Sequence, residues 1–174
     1  MKRALLSSLL AGLLWFEACA IPAWVNTVEQ DAQIAAPIAA SLIDVIDPSL
    51  EPVVTLIENG FNALVKTLDT YKVSPTATNL QAVQSAFAAV NSNVAQLEAA
   101  AQIKNTGTAS TVAQVVALLS QAVAEIAAQM PASVSTTLGV KATVGATAKG
   151  WKARDFKHAF NKIAKSDPRL KPLK

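Results

Sequence analysis

The chain is poor in the side chains that carry most enzyme chemistry. Its 174 residues include one cysteine, Cys19, and one histidine, His158. That excludes an intramolecular disulfide, a Cys-x-x-Cys redox pair and a Cys/His zinc cluster. Glycine is limited to six residues, and no Walker-type phosphate loop, G-x-S-x-G elbow or H-E-x-x-H helix occurs. Aromatic residues make up only 5%, which disfavours an aromatic-rich sheet sandwich. No uninterrupted apolar run reaches the roughly 18 residues of an ordinary membrane-spanning helix. The carboxylates are expected at solvent-facing or capping positions, with Asp47 capping a helix and Glu51 in its first turn. Hence no catalytic residue, cofactor or metal site is expected, and the chain reads as non-enzymatic.

What the sequence has in quantity is small and aliphatic apolar residues. Hydrophobic residues make up 52%, dominated by Ala, Val and Leu, ample for one core of closely packed helices. The net charge of +3 hides an asymmetry. Residues 20–130 hold three lysines against nine carboxylates, a net −6, whereas residues 131–174 hold ten Lys/Arg against two Asp, a net +8. An acidic body carries a basic tail.

Residues 1–20 have the three parts of an export signal: a charged Met1-Lys2-Arg3, an apolar stretch over 4–16, and small residues after Glu17. Ala18-Cys19-Ala20 satisfies the small-x-small rule for simple cleavage, which leaves Ile21 as the new N-terminus. Phe16-Glu17-Ala18-Cys19 also resembles the lipobox of bacterial lipoproteins, departing from it at Phe16 and Glu17. The resemblance implies lipidation of Cys19, with palmitate among the attached chains, cleavage before it, and placement in the cell envelope. With Ala20 following, it implies the outer membrane or the periplasmic face of a membrane. Acylation or removal both dispose of a lone thiol that oxidising compartments make a liability. More than one acyl chain, at about 0.8 kcal/mol per buried CH₂, makes a stable anchor. Trp24 is expected at the membrane interface, which suits an indole.

Residues 21–131 carry four apolar stripes at 3-4 spacing. The first, over 23–46, runs through Val25, Val28, Ala32, Ala35, Ala39, Leu42 and Ile46, with Pro37 expected to kink or interrupt it. The second starts at Asp47-Pro48 and runs through Leu50, Val54, Ile57, Phe61, Leu64, Leu68 and Tyr71, weakened slightly by Gly60. The third follows Ser74-Pro75 and is expected to open with a Thr78-x-x-Gln81 capping box. It runs through Leu80, Val83, Phe87, Val90, Val94, Leu97 and Ala101. The fourth runs through Val112, Val116, Leu119, Val123, Ile126 and Met130 to Pro131. Helices of this length, joined by short connections, predict an all-α fold: an antiparallel four-helix bundle with an N-terminal signal segment and a basic C-terminal tail. Coiled-coil self-association through the same seams is the alternative.

Residues 132–150 lose the heptad and read as a Ser/Thr/Gly/Ala linker, with a weak strand alternative through Val134, Leu138, Val140 and Val144. Residues 151–174 form a basic tail. Within it Phe156, Ala159, Phe160 and Ile163 recur at helical spacing, predicting an amphipathic helix over 153–165. Trp151, Lys152, Arg154, Lys157, Lys162 and Lys165 are the candidate contacts to an anionic surface, where each cation near lipid headgroups contributes roughly 1 kcal/mol. An acidic cell-wall polymer or a partner protein fits the same charge, and docking of the tail on the acidic body is the structural alternative. Nucleic acid is disfavoured, because no recognition motif is present and export separates the chain from the chromosome.

These features predict a non-enzymatic envelope protein: a lipid-anchored bundle whose basic tail contacts membrane, polymer or partner. Two alternatives stay open. One is a phage-derived membrane or lysis accessory protein, which the layout of signal, helices and basic end resembles. The other is a secreted bundle holding an apolar ligand between its helices.

Overall fold

A computed structural model describes residues 21–104, 109–131 and 150–174. The export segment with Cys19, and residues 132–149 with the expected linker and its strand alternative, lie outside the described residues. The described residues are helical throughout their regular structure, with no strand among them. Among the described residues five α-helices succeed one another: α1 Ala23–Ala40, α2 Glu51–Val73, α3 Ala77–Lys104, α4 Ala109–Gln129 and α5 Ala153–Ala164.

The stripes read from the sequence are the buried faces. Val25, Val28, Ala32, Ala35, Ala39 and Leu42 of the first segment are almost wholly buried, as are Val54, Ile57, Phe61, Leu64 and Leu68 of α2. In α3, Val83, Phe87, Val90, Val94 and Leu97 are fully buried, while Leu80 is half-buried. Helix α1 packs on α2 and α4, and α3 packs on α2 and α4, so the apolar faces of these four share one core.

Three local expectations are corrected. Pro37 does not interrupt the first helix: α1 continues to Ala40, the Ser41 amide still donates to the Pro37 and Ala39 carbonyls, and only then does a 3₁₀ turn, Ser41–Asp44, follow. The burial of Ile38, Ala39 and Leu42 offsets the lost amide. The cap of α3 is Thr76 rather than Thr78. Its Oγ1 accepts from the Asn79 amide at 3.2 Å, and Asn79 Nδ2 donates back to the Ser74 carbonyl at 2.7 Å. Asp47 does cap, its Oδ1 accepting from the Ser49 amide at 2.8 Å, but it caps a 3₁₀ turn, Pro48–Leu50, that leads into α2.

Gly60 has a packing role that its helix position conceals. A Cβ there would stand 2.8 Å from Val90 Cγ2, so the missing side chain is what lets α2 and α3 approach this closely.

Helix α4 is buried all round over one stretch. All nine residues of 118–126 are buried, including Ser120, Gln121 and Glu125. A helix with neighbours on one side alone leaves its other face wet. The extra cover is α5, which packs on both α1 and α4. Thr111–Gln129 is also apolar and long enough by composition to cross a membrane, yet 67% of that window is buried inside the protein, as in a central core helix.

Candidate functional site at the C-terminal helix

Helix α5 folds because its apolar residues share one face and its start is capped. Asp155, at its third position, accepts from the Lys152 amide through Oδ2 at 2.9 Å, which also places a negative charge at the positive end of the helix dipole. Phe156, Phe160 and Ala164 are buried and belong to the same core as α1 to α4. Trp151, half-buried, meets Phe156 edge-on at 5.3 Å between ring centres.

The chain after α5 turns back along it. Asn161 holds Leu173 by a reciprocal pair, Nδ2 donating to the Leu173 carbonyl at 3.1 Å and Oδ1 accepting the Leu173 amide at 2.7 Å. Leu170 is buried, and Asp167 receives three donors from Arg169: the amide at 3.1 Å, Nε at 3.0 Å and Nη2 at 2.7 Å. The guanidinium and amide of Arg169 hold the Asp167 carboxyl down at about 2. A hydrogen bond from Thr111 also favours its charged form, which puts the end of the tail near the start of α4.

Under the start of α5 lie two carboxylates that the sequence reading placed at the surface, a placement the structure corrects. Asp31 is wholly buried and Glu125 is 2% exposed. Glu125 Oε2 accepts from the Gly150 amide at 3.1 Å, and its Oε1 accepts from Gln121 Nε2 at 2.8 Å. Asp31 Oδ2 accepts from Gln129 Nε2 at 2.8 Å. Burial pushes the Asp31 carboxyl above the usual carboxylate range, and the charges of Glu125 and Asp155 push the same way. The Gln129 amide and the Ala153 backbone amide act against them. Gly150 itself takes φ +69°, a conformation glycine adopts without strain, where the chain enters the helix. Backbone amides at the head of α5 are thus set over buried acids, an arrangement that stabilises docking through the helix dipole.

The predicted contact residues divide. Arg154 and Lys162 lie at helical steps of four with His158 between them, and Lys165 follows at a step of three. These four are exposed on the side of α5 opposite Phe156, Phe160 and Ile163. Lys152 is exposed at the cap, while Lys157 is half-buried and its ammonium donates to the Lys174 carbonyl. Trp24 is half-buried on α1, facing Tyr71 at 6.0 Å and 31°. Cys19 lies outside the described residues. Sequence reasoning missed Asp31 and Glu125, although Asp31 sits three residues from both Val28 and Ile34 on the helix and Glu125 falls next to stripe residue Ile126. Among the described residues, no three His, Cys, Asp or Glu side chains are grouped to hold a metal ion. No family model, curated protein or solved structure matches the chain.

Proposed function

We propose that this is a non-enzymatic cell-envelope protein: an exported antiparallel four-helix bundle, held to a membrane by lipid on Cys19, which uses the outer face of α5 to bind an anionic surface. The observation that supports this reading best is the division of labour within α5. Its aromatic face is spent on the core, so Arg154, Lys162 and Lys165 are held outward on a fixed support. A cationic row on a docked helix loses less conformational freedom on binding than one on a free tail. The ring of contacts from α1 to α2, α3, α4 and back to α1 supports the bundle topology.

The anchor is tested by the intact mass of the natively expressed protein together with radiolabelled palmitate incorporation. A diacylated or triacylated chain starting at Cys19, with label lost in Cys19→Ser, is expected. A start at Ile21 with no label overturns the lipoprotein reading and leaves a secreted bundle. The cationic face is tested with Arg154→Glu/Lys162→Glu, which should abolish salt-sensitive binding to an acidic polymer or to anionic vesicles while the thermal unfolding transition stays in place.

A further inference from the structure

One end of the molecule combines exposed apolar groups with proximity to the export segment. The start of α1 and the end of α2 meet there through the Trp24–Tyr71 ring contact. Within three residues of these rings in the chain, Ile21 is 43% exposed and Val73 is 88% exposed, two of the four exposed large hydrophobics among the described residues. The nearest cation, Lys72, is committed to Glu29 at 2.5 Å and to Asp69 at 2.9 Å. The rim is thus apolar and aromatic, and the Lys72 charge between Tyr71 and Val73 is paired.

Ile21 is two residues from Cys19, and an extended chain spans about 3.3–3.6 Å per residue, so lipid on Cys19 would lie within roughly 7 Å of this rim. So short a tether favours this end of the molecule as the one that meets the bilayer. We propose that Ile21, Trp24, Tyr71 and Val73 form the membrane-contacting end of the protein, seated at the headgroup and acyl-chain boundary of the bilayer. An indole, a phenol and two aliphatic side chains suit that boundary. This inference rests on the anchoring reading given above and adds an orientation to it. Helices α1 and α2 then lead away from the bilayer. Helix α5 starts beside Asp31, about 15 Å along α1 from Ile21 at 1.5 Å per residue, and continues toward the far end, where Asp167 meets Thr111. Its cationic row therefore runs up the side of the molecule and faces the aqueous phase rather than the anchoring membrane.

The test uses the natively expressed, membrane-derived protein reconstituted into phosphatidylcholine/phosphatidylglycerol vesicles whose acyl chains are brominated. One variant keeps Trp24 as its sole tryptophan, another keeps Trp151, the remaining tryptophans being replaced by Phe. Emission from Trp24 should be quenched at least about twofold more than emission from Trp151, as an interfacial indole requires. Val73→Asp should weaken the Trp24 quenching, whereas Leu56→Asp, exposed on the same helix about 25 Å away, should not. Intact mass and vesicle co-sedimentation report the anchor separately. A lipidated, vesicle-bound protein whose Trp24 is quenched no more than Trp151, because the rim is covered by its own chain or by another copy, overturns the orientation while leaving the anchor standing. An unlipidated protein whose Trp24 is still quenched on vesicles supports the rim and overturns the anchor. An unlipidated protein that stays in the supernatant overturns both.

Discussion

Gln129 reaches from α4 to α1 and donates through Nε2 to Asp31 Oδ2 at 2.8 Å, joining residues 98 apart in the chain. The Asp31 carboxyl also meets the Ala153 backbone amide, while Gln129 Oε1 is buried without a hydrogen-bond partner. A proton on Asp31 adds a donor to this buried contact. This contact lies under the first turn of α5, so its protonation state bears on how firmly the C-terminal helix is docked.

Asp31 should make the protein more stable in mild acid than at neutral pH. Its folded pKa is raised above the unfolded value of 3.8, so the folded state keeps a proton that the unfolded state releases. Its contribution is complete below the unfolded pKa and is lost as pH rises through the folded one. Asp31→Asn supplies a permanent donor and removes the charge facing Glu125 and Asp155. It should raise stability at pH 7 by on the order of 1 kcal/mol, about 2–4 °C in Tm, and narrow the difference between melts at pH 5 and pH 7. A Tm lowered at both pH values would contradict this.

Asp167 should show the opposite dependence in a lower window. Its carboxyl is held down at about 2, so its contribution is present above 3.8 and disappears as pH falls toward 2. Carboxyl titration by NMR should place its midpoint near 2, and Arg169→Gln should return it toward the ordinary value. An unchanged midpoint in that variant would rule out Arg169 as the cause.

At Gly60 two effects compete. Alanine gains about 1 kcal/mol of helix propensity over glycine, but its Cβ would overlap stiff, β-branched Val90, and overpacking costs about 1–3 kcal/mol. Gly60→Ala should therefore be net destabilising, by about 1 kcal/mol in urea unfolding. In the Val90→Ala background the same substitution should become neutral or stabilising. Equal effects in both backgrounds would show that the approach of α2 to α3 is not the reason.

Phe160→Ala tests whether α5 is an integral part of the core. The ring is fully buried, and truncation should cost about 3–5 kcal/mol. If α5 covers α4, hydrogen exchange should accelerate within 118–126 as well as within α5, while the amides of 83–97 in α3 change less. Acceleration confined to α5 would mean that α4 keeps its protection without it.

Much of the core was legible because heptad spacing and burial have the same geometric cause. A helix that buries one stripe must repeat apolar residues every three or four positions, so Val83, Phe87, Val90, Val94 and Leu97 could be assigned before their partners were known. Cap identity was less legible. Thr76 and Thr78 offer the same hydroxyl two residues apart, and the choice rests on where the backbone first turns helical. The buried acids were not legible at all. Asp31 and Glu125 lie on flanks of their stripes that would be wet in an isolated amphipathic helix, and only the packing of other parts of the chain against them buries them.

The sequence by itself determined that the described body is helical, which faces of α1 to α3 point inward, and that α5 is amphipathic, because these follow from local periodicity and turn chemistry. The tertiary structure decided where α5 goes. Its aromatic face could have met a membrane or a partner, and the groove between α1 and α4 takes it instead, burying Phe156 and Phe160 and setting backbone amides over Glu125 and Asp31. That outcome depends on surfaces brought together from 25 positions away, as at Glu125 and Gly150, to more than 100, as between α1 and α5, and no local periodicity contains both sides of the contact.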